Sequence, residues 1–128
     1  IKSCGPGPHL EGCHDDLVAA FSNLITNALD ASPTQPNITI SSRIRNNRLA
    51  VIQIADRGCG IPAEAIVRIF DPFFTTRAAG NGLGLAVVAG TVTQHGGTIR
   101  AANRPGGGAE FTIVLPITLA PETPAEVV

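Results

Sequence analysis

The apolar residues change period along the chain, and the order of those changes leaves few folds open. From Asp15 to Ala31, the residues Leu17, Val18, Phe21, Leu24, Ile25, Ala28 and Leu29 recur at three- and four-residue steps, the stripe of an amphipathic helix. Asp15 and Asp16 sit at its start, where negative charge suits the helix dipole, and Ser32-Pro33 ends it because a residue before proline avoids helical angles. The period then drops to two. Ile38, Ile40 and Ile44 alternate with polar residues, Asn46-Asn47 marks a turn, and Leu49, Val51, Ile52 and Ile54 form the second arm of a hairpin. Pro62 opens a short helix predicted to run through Phe70, and residues 71–81 are irregular. Leu83 to Gln94 is predicted helical, with His95-Gly96-Gly97 marking its end. Thr98 to Asn103 and Glu110 to Leu115 form a last hairpin around Arg104-Pro105-Gly106-Gly107-Gly108.

Helix, hairpin, helix, loop, helix, hairpin is the order of an α+β two-layer sandwich. It predicts a mixed, mostly antiparallel sheet with about three helices on one face. The 128 residues suit one domain, expected over 15–116. Residues 1–14, with Gly5, Pro6, Gly7, Pro8 and Gly12, form a lead-in, and 117–128, following Pro116 and including Pro121 and Pro124, a flexible tail.

Composition removes several function classes. Hydrophobic residues make up 44 % and the only aromatics are five Phe, so the core must be aliphatic. A net charge of -1 gives no basic surface for nucleic acid or an anionic membrane. No apolar run approaches the roughly 20 residues that span a bilayer, and no signal-peptide pattern is present. The chain begins at Ile1 and lacks Met, the expectation for a piece of a longer protein. Cys4, Cys13 and Cys59 are odd in number and scattered, which is no disulfide framework and points to a reducing cytoplasm. Cys4, His9, Cys13 and His14 lack zinc-ligand spacing.

Three short motifs carry chemistry. Asn23 and Asn27 stand four apart on the first helix and project side by side. A carboxamide oxygen is a hard neutral ligand for Mg²⁺ and its NH₂ can donate to phosphate, though the pair taken alone reads better as a polar helix face. Asp56-Arg57-Gly58-Cys59-Gly60-Ile61-Pro62 follows a strand directly. There a carboxylate can accept from an exocyclic amine while glycines let a flat ring approach the backbone, or the segment is a solvated turn. Gly80-Asn81-Gly82-Leu83-Gly84-Leu85 opens a helix, where bare N–H groups can hold phosphate. It has neither the Gly-Lys-Ser/Thr of a P-loop nor the spacing of a dinucleotide loop.

These motifs, with Phe70-Asp71-Pro72-Phe73-Phe74-Thr75-Thr76-Arg77 between the second and third, stand in an order that strongly resembles the catalytic domain of sensor histidine kinases. That domain belongs to the ATP-binding superfamily of gyrase, the heat-shock chaperone and MutL, with the Bergerat fold. The resemblance runs from about Asp15 to Pro116, and the Phe-Asp-Pro-Phe-Phe-Thr-Thr run is its most specific part. It implies ATP and Mg²⁺ as cofactors. Asn27 would coordinate the metal with Asn23 beside it, Asp56 would bind the adenine amino group, and Gly58, Gly60 and Ile61 would border the base. Phe70, Thr76 and Arg77 would belong to a lid over the nucleotide. Gly80, Gly82, Leu83, Gly84 and Leu85 would line the phosphates, and Thr112 would help hold the adenine end. Asn23, Asn27 and Arg77 are the candidate catalytic residues.

Two departures stand out. Some relatives carry Lys or Arg three residues after the metal Asn, where this chain has Asp30, so Arg77 is the candidate replacement for that charge. The lid is also short, with few residues between Phe74 and Gly80. The hydrolytic members place a general-base Glu at the position of Asn23, and a carboxamide cannot take a proton near neutral pH. Phosphoryl transfer to a strong nucleophile is therefore favoured over hydrolysis. His14 lacks the setting of a phosphoacceptor, and His95 suits the capping of a helix end. The acceptor histidine is expected on a separate dimerisation domain of the same parent protein, a homodimer in this family, with a response regulator downstream. Any membrane anchor would belong to that parent and not to this piece. The alternatives are a serine protein kinase of the anti-sigma type, against which Asn23 and the Phe-Phe-Thr-Thr lid argue, and a non-catalytic nucleotide-sensing module.

Overall fold

The computed structural model describes residues 14–31, 37–72 and 84–117. Its elements are α1 (His14–Ala31), β1 (Ile38–Arg45), β2 (Leu49–Asp56), α2 (Gly84–Gln94), β3 (Thr98–Asn103) and β4 (Ala109–Pro116). The four strands form one sheet in the order β1-β2-β4-β3, with every pairing antiparallel. The β1–β2 connection uses Asn46 and Asn47 at φ 54° and 55°. Tight hairpin turns require such left-handed angles, and Asn tolerates them better than most residues.

Alternation along the strands separates two faces. Phe111, Ile113 and Leu115 of β4 and Ile54 of β2 are buried, and they meet Ala20 and Leu24 of α1 and Val88 and Val92 of α2 in one cluster. The buried stripe of α1 is Ala20, Leu24 and Ala28, each one helical turn from the next, while Val18 and Leu29 are exposed at its rim. The two helices pack on each other, α1 also against β2 and α2 against β3. The opposite face is more polar: Ser41, Gln53, Thr112 and Arg100 follow one another across it in register, and Gln53 Nε2 donates to Thr112 Oγ1 at 3.4 Å.

α2 ends as its sequence predicts. Gly96 has φ 79°, its N–H donates to Thr93 O at 3.0 Å, and the Gly97 N–H donates to Val92 O at 2.9 Å. This is a Schellman cap, which satisfies the last carbonyls. His95 Nδ1 lies 2.7 Å from Thr91 O and completes the helix end.

One predicted helix is absent. From Pro62 to Asp71 the backbone makes successive turns, with bonds from Ala65 N to Pro62 O, Arg68 N to Ala65 O and Asp71 N to Arg68 O, and one longer bond from Ile66 N to Pro62 O. The described residues thus hold two α-helices where about three are predicted. A segment this short pays the nucleation penalty over few bonds, and the β-branched Ile66, Val67 and Ile69 disfavour helix further. The turns still bury Ala65 and Ile69 against the core. No helix among the described residues is long and apolar enough to cross a membrane.

Candidate functional site

Asp56 is the last residue of β2 and only 3 % exposed. It shares the helix-facing side of the sheet with Ile54. Its Oδ1 accepts from the Gly58 N–H at 2.8 Å and from the Ala109 N–H at 3.2 Å. The first bond is a local turn that a short carboxylate side chain makes two residues onward. The second ties the carboxylate to β4. Oδ2 has no hydrogen-bond partner among the described residues, so one acceptor of a buried carboxylate remains for a ligand.

The loop after Asp56 is packed from both sides. On one side a Cβ at Gly58 would run into the Ala31 carbonyl, with the carbonyl carbon at 2.7 Å. Only glycine lets the loop touch the end of α1. On the other side lies the β3–β4 turn. Arg104 donates to Asp56 O at 3.0 Å, and Arg57 donates back to Pro105 O at 2.9 Å and Gly107 O at 3.2 Å. Gly108, at φ 97°, lies so close that a Cβ would overlap Asp56 O and stand 2.7 Å from Arg57 Cα. Asn103 holds Ile61 through both backbone groups. A cleft of about 470 Å³ opens beside the turn, lined by Cys59, Gly60, Ile61, Pro62, Asn103, Arg104, Gly107 and Gly108. Of the residues predicted from the motifs, Gly60 and Ile61 are among its walls and Asn23, Asn27 and Asp56 are not.

Asn23 and Asn27 are half-buried on α1, each immediately before a core residue, Leu24 and Ala28. Asn27 lies one turn before Ala31, about 6 Å along the axis, and Ala31 is where Gly58 touches the helix. The helix end therefore brings Asn27 toward the Asp56 loop, whereas Asn23, about 12 Å from Ala31 along the axis, lies near the middle of the helix. Gly84 opens α2, and a Cβ there would meet nothing within 4 Å. Leu85 packs half-buried against the core beside it, as does Ile61. Asp30 is exposed.

Two predicted site residues are placed differently from expectation. Thr112 lies between the buried Phe111 and Ile113, so alternation turns it to the opposite face of the sheet from Asp56, where Gln53 donates to it. It does not join the site. Ala109, on the helix-facing side, is the β4 residue that reaches Asp56. Phe70 packs its ring edge-on against Phe111, with centroids 6.2 Å apart at 74°, and so anchors the start of the predicted lid in the core. Of the lid itself only Asp71 and Pro72 are described, and Thr76, Arg77, Gly80, Gly82 and Leu83 lie outside the described residues. Asn103, Arg104, Arg57 and Ala109 were not predicted. The run Arg104 to Gly108 signals a turn, but nothing local shows which loop that turn supports.

The donor set fits a nucleotide with Mg²⁺. A buried carboxylate oxygen awaits a donor, glycines border it, and a carboxamide can hold a cation that keeps most of its ligands as water and phosphate. Among the described residues no cluster of His, Cys, Asp or Glu competes as a metal site.

Comparison with known proteins bears on the family and the fold. Residues 12–119 match the family described as histidine kinase-, DNA gyrase B-, and HSP90-like ATPase. Sensor histidine kinase ZraS of Klebsiella oxytoca is 45 % identical over 103 residues, covering 80 % of this chain and 22 % of that protein. The mycobacterial sensor histidine kinase MprB superposes with a TM-score of 0.79 at 30 % identity, over 86 % of this chain and 78 % of that one. Full-length ShkA in complex with AMPPNP superposes with a TM-score of 0.72 at 28 % identity, over 82 % of this chain and 22 % of that one. The chain thus spans about a fifth of the length of the ZraS it matches. It belongs to the histidine kinase-, DNA gyrase B-, and HSP90-like ATPase family.

Proposed function

We propose that this chain, over residues 15–116, is the ATP-binding catalytic domain of a cytoplasmic sensor histidine kinase module. The observation that carries this reading is the Asp56 carboxylate, 3 % exposed, with Oδ1 committed to two backbone N–H groups and Oδ2 left to accept. The amino group of adenine supplies the matching donor, whereas the carbonyl of guanine would meet a carboxylate. Gly58, Gly60 and Ile61 border the ring, and Asn27 would hold Mg²⁺, with Asn23 beside it, to neutralise phosphate charge. The N–H groups that open α2 at Gly84 and Leu85 would hold the phosphates, as helix N-termini can. Gly80, Gly82, Leu83, Thr76 and Arg77 complete this assignment by resemblance. The ShkA structure, in complex with AMPPNP, supports an adenine nucleotide as ligand.

Bound with Mg²⁺, ATP supplies a γ-phosphoryl group that passes to an imidazole nitrogen and leaves ADP. The chain's own residues position and neutralise charge, which is most of what phosphoryl transfer asks of a protein. Asn23 offers no base to activate water. The acceptor imidazole comes from the histidine-bearing dimerisation domain of the parent protein, taken to be a homodimer, and a response regulator receives the phosphoryl group next. The test is transfer of label from γ-labelled ATP to that domain supplied separately. The expected product is phosphohistidine, labile to acid and stable to alkali. Saturating MgATP with no labelled domain, or an alkali-labile phosphoserine, overturns the proposal.

A further inference from the structure

Both ends of the segment from Asp56 to Ile61 are held by the same rung of the sheet. Asn103 of β3 pairs with Ala109 of β4. The Ala109 N–H donates to Asp56 Oδ1 at 3.2 Å, which fixes one end. At the other end the Asn103 carboxamide takes both backbone groups of Ile61: Oδ1 accepts from the Ile61 N–H at 2.7 Å, and Nδ2 donates to Ile61 O at 2.8 Å. One side chain thereby makes the pair of bonds that a neighbouring strand would make. Gly60 lies between the two anchors at φ 78°, and a Cβ there would stand 3.0 Å from Asn103 Oδ1.

We infer that Asn103 is a positioning residue for the nucleotide base, acting through Ile61 on the loop that borders the ring. Gly58 and Gly60 give this loop more conformational freedom than any other residue would. A ligand that binds one loop position loses affinity in proportion to the fraction of time the loop spends elsewhere. The two bonds to Ile61 keep that fraction small. Asn103 itself is exposed at the end of an edge strand, so it can be changed without opening the core. The inference rests on the reading of Asp56 as the adenine acceptor.

The test uses the 128-residue chain as wild type, Asn103→Ala and Asn103→Asp. Amide hydrogen exchange without ligand reports the clamp, and calorimetry with MgATP reports its consequence. In Asn103→Ala the Ile61 amide exchanges faster, while the Ile113 and Leu115 amides of the core strand keep their protection. MgATP affinity falls by about three- to tenfold, the equivalent of one ordinary hydrogen bond lost. Asn103→Asp still accepts from the Ile61 N–H but cannot donate to Ile61 O, so it restores part of both signals. Unchanged MgATP affinity in both variants, with wild type binding normally, overturns the positioning role and leaves the reading of Asp56 intact. Loss of protection at Ile61, Ile113 and Leu115 together also overturns it, since the residue would then hold the fold and not the loop. Wild type that binds no MgATP removes the reading of Asp56, and the inference with it.

Discussion

The backbone N–H of Ala109 donates to Asp56 Oδ1 at 3.2 Å, so the orientation of the buried carboxylate is set by a strand and not only by its own loop. This bond, with that from Gly58, commits one oxygen to the protein, and among the described residues the other has no hydrogen-bond partner.

Asp56→Asn follows from that division. The two backbone N–H groups keep the amide oxygen where Oδ1 stands, which turns Nδ2 outward and sets a donor against the adenine amino group. Loss of a hydrogen bond involving a charged group is worth about 1.5–3 kcal/mol, so MgATP affinity should fall by about 10- to 100-fold. Thermal unfolding of the unliganded chain should change little. GTP should bind the wild type poorly. Calorimetry with both nucleotides checks this, and equal affinities for ATP and GTP would refute the role of Asp56.

Gly108→Ala should destabilise the fold through backbone strain and overlap at once. The new Cβ would stand 2.7 Å from Arg57 Cα at a φ of 97°, which L residues rarely adopt. About 1–3 kcal/mol of strain is expected, lowering the midpoint of urea unfolding. Gly84→Ala is the control, because its Cβ meets nothing within 4 Å and a helical position suits Ala. A stability at least equal to wild type is expected there. Similar losses for both substitutions would contradict the packing described at Gly108.

What the sequence reveals here depends on the range of the interaction. α1, both hairpins and the α2 cap were legible because period and turn residues are local signals. The turns from Pro62 to Asp71 were misread as helix because Pro62 suits a first helical turn, but that local signal does not show whether enough successive hydrogen bonds follow to sustain a helix. Thr112 could have been placed correctly, since alternation with Phe111 and Ile113 already turns it away from the core face. Ala109 could not be found by side-chain pattern, as it acts through its N–H. The clamp of Asn103 on Ile61 spans 42 residues of sequence and depends on β3 pairing with β4, which no local feature encodes.

Metal removal separates the two ends of the ligand. A ligand bound only to the native state raises stability by RT ln(1 + [L]/Kd), about 2.7 kcal/mol at a hundredfold excess over Kd. MgATP should therefore raise Tm, and ATP with excess EDTA should raise it less, because Asn27 then has no cation to hold against the phosphates. Adenosine, which lacks phosphates, should give the same Tm with or without Mg²⁺. An equal Tm for ATP with Mg²⁺ and ATP with EDTA would remove Asn27 as a metal ligand.

The last prediction concerns Asn23, one helical turn before Asn27 on the half-buried flank of α1. If the missing general base separates this chain from hydrolytic members of its family, the wild type should bind MgATP yet release phosphate very slowly. Asn23→Glu places a carboxylate at the superfamily position of that base. Positioned general-base catalysis contributes about 10²–10⁴-fold, but a transplanted group lacks the neighbours that would hold it to the geometry this needs. The gain should therefore lie near the low end. The added negative charge close to the triphosphate also weakens binding, so rates must be compared at matched occupancy and not at matched concentration. Asn23→Gln serves as the control, because it has the length of Glu without its basicity. Phosphate release should rise in Asn23→Glu and stay at the wild-type level in Asn23→Gln. Rapid hydrolysis by the wild type would overturn the argument from the missing base, and equal gains in both variants would assign the effect to side-chain length.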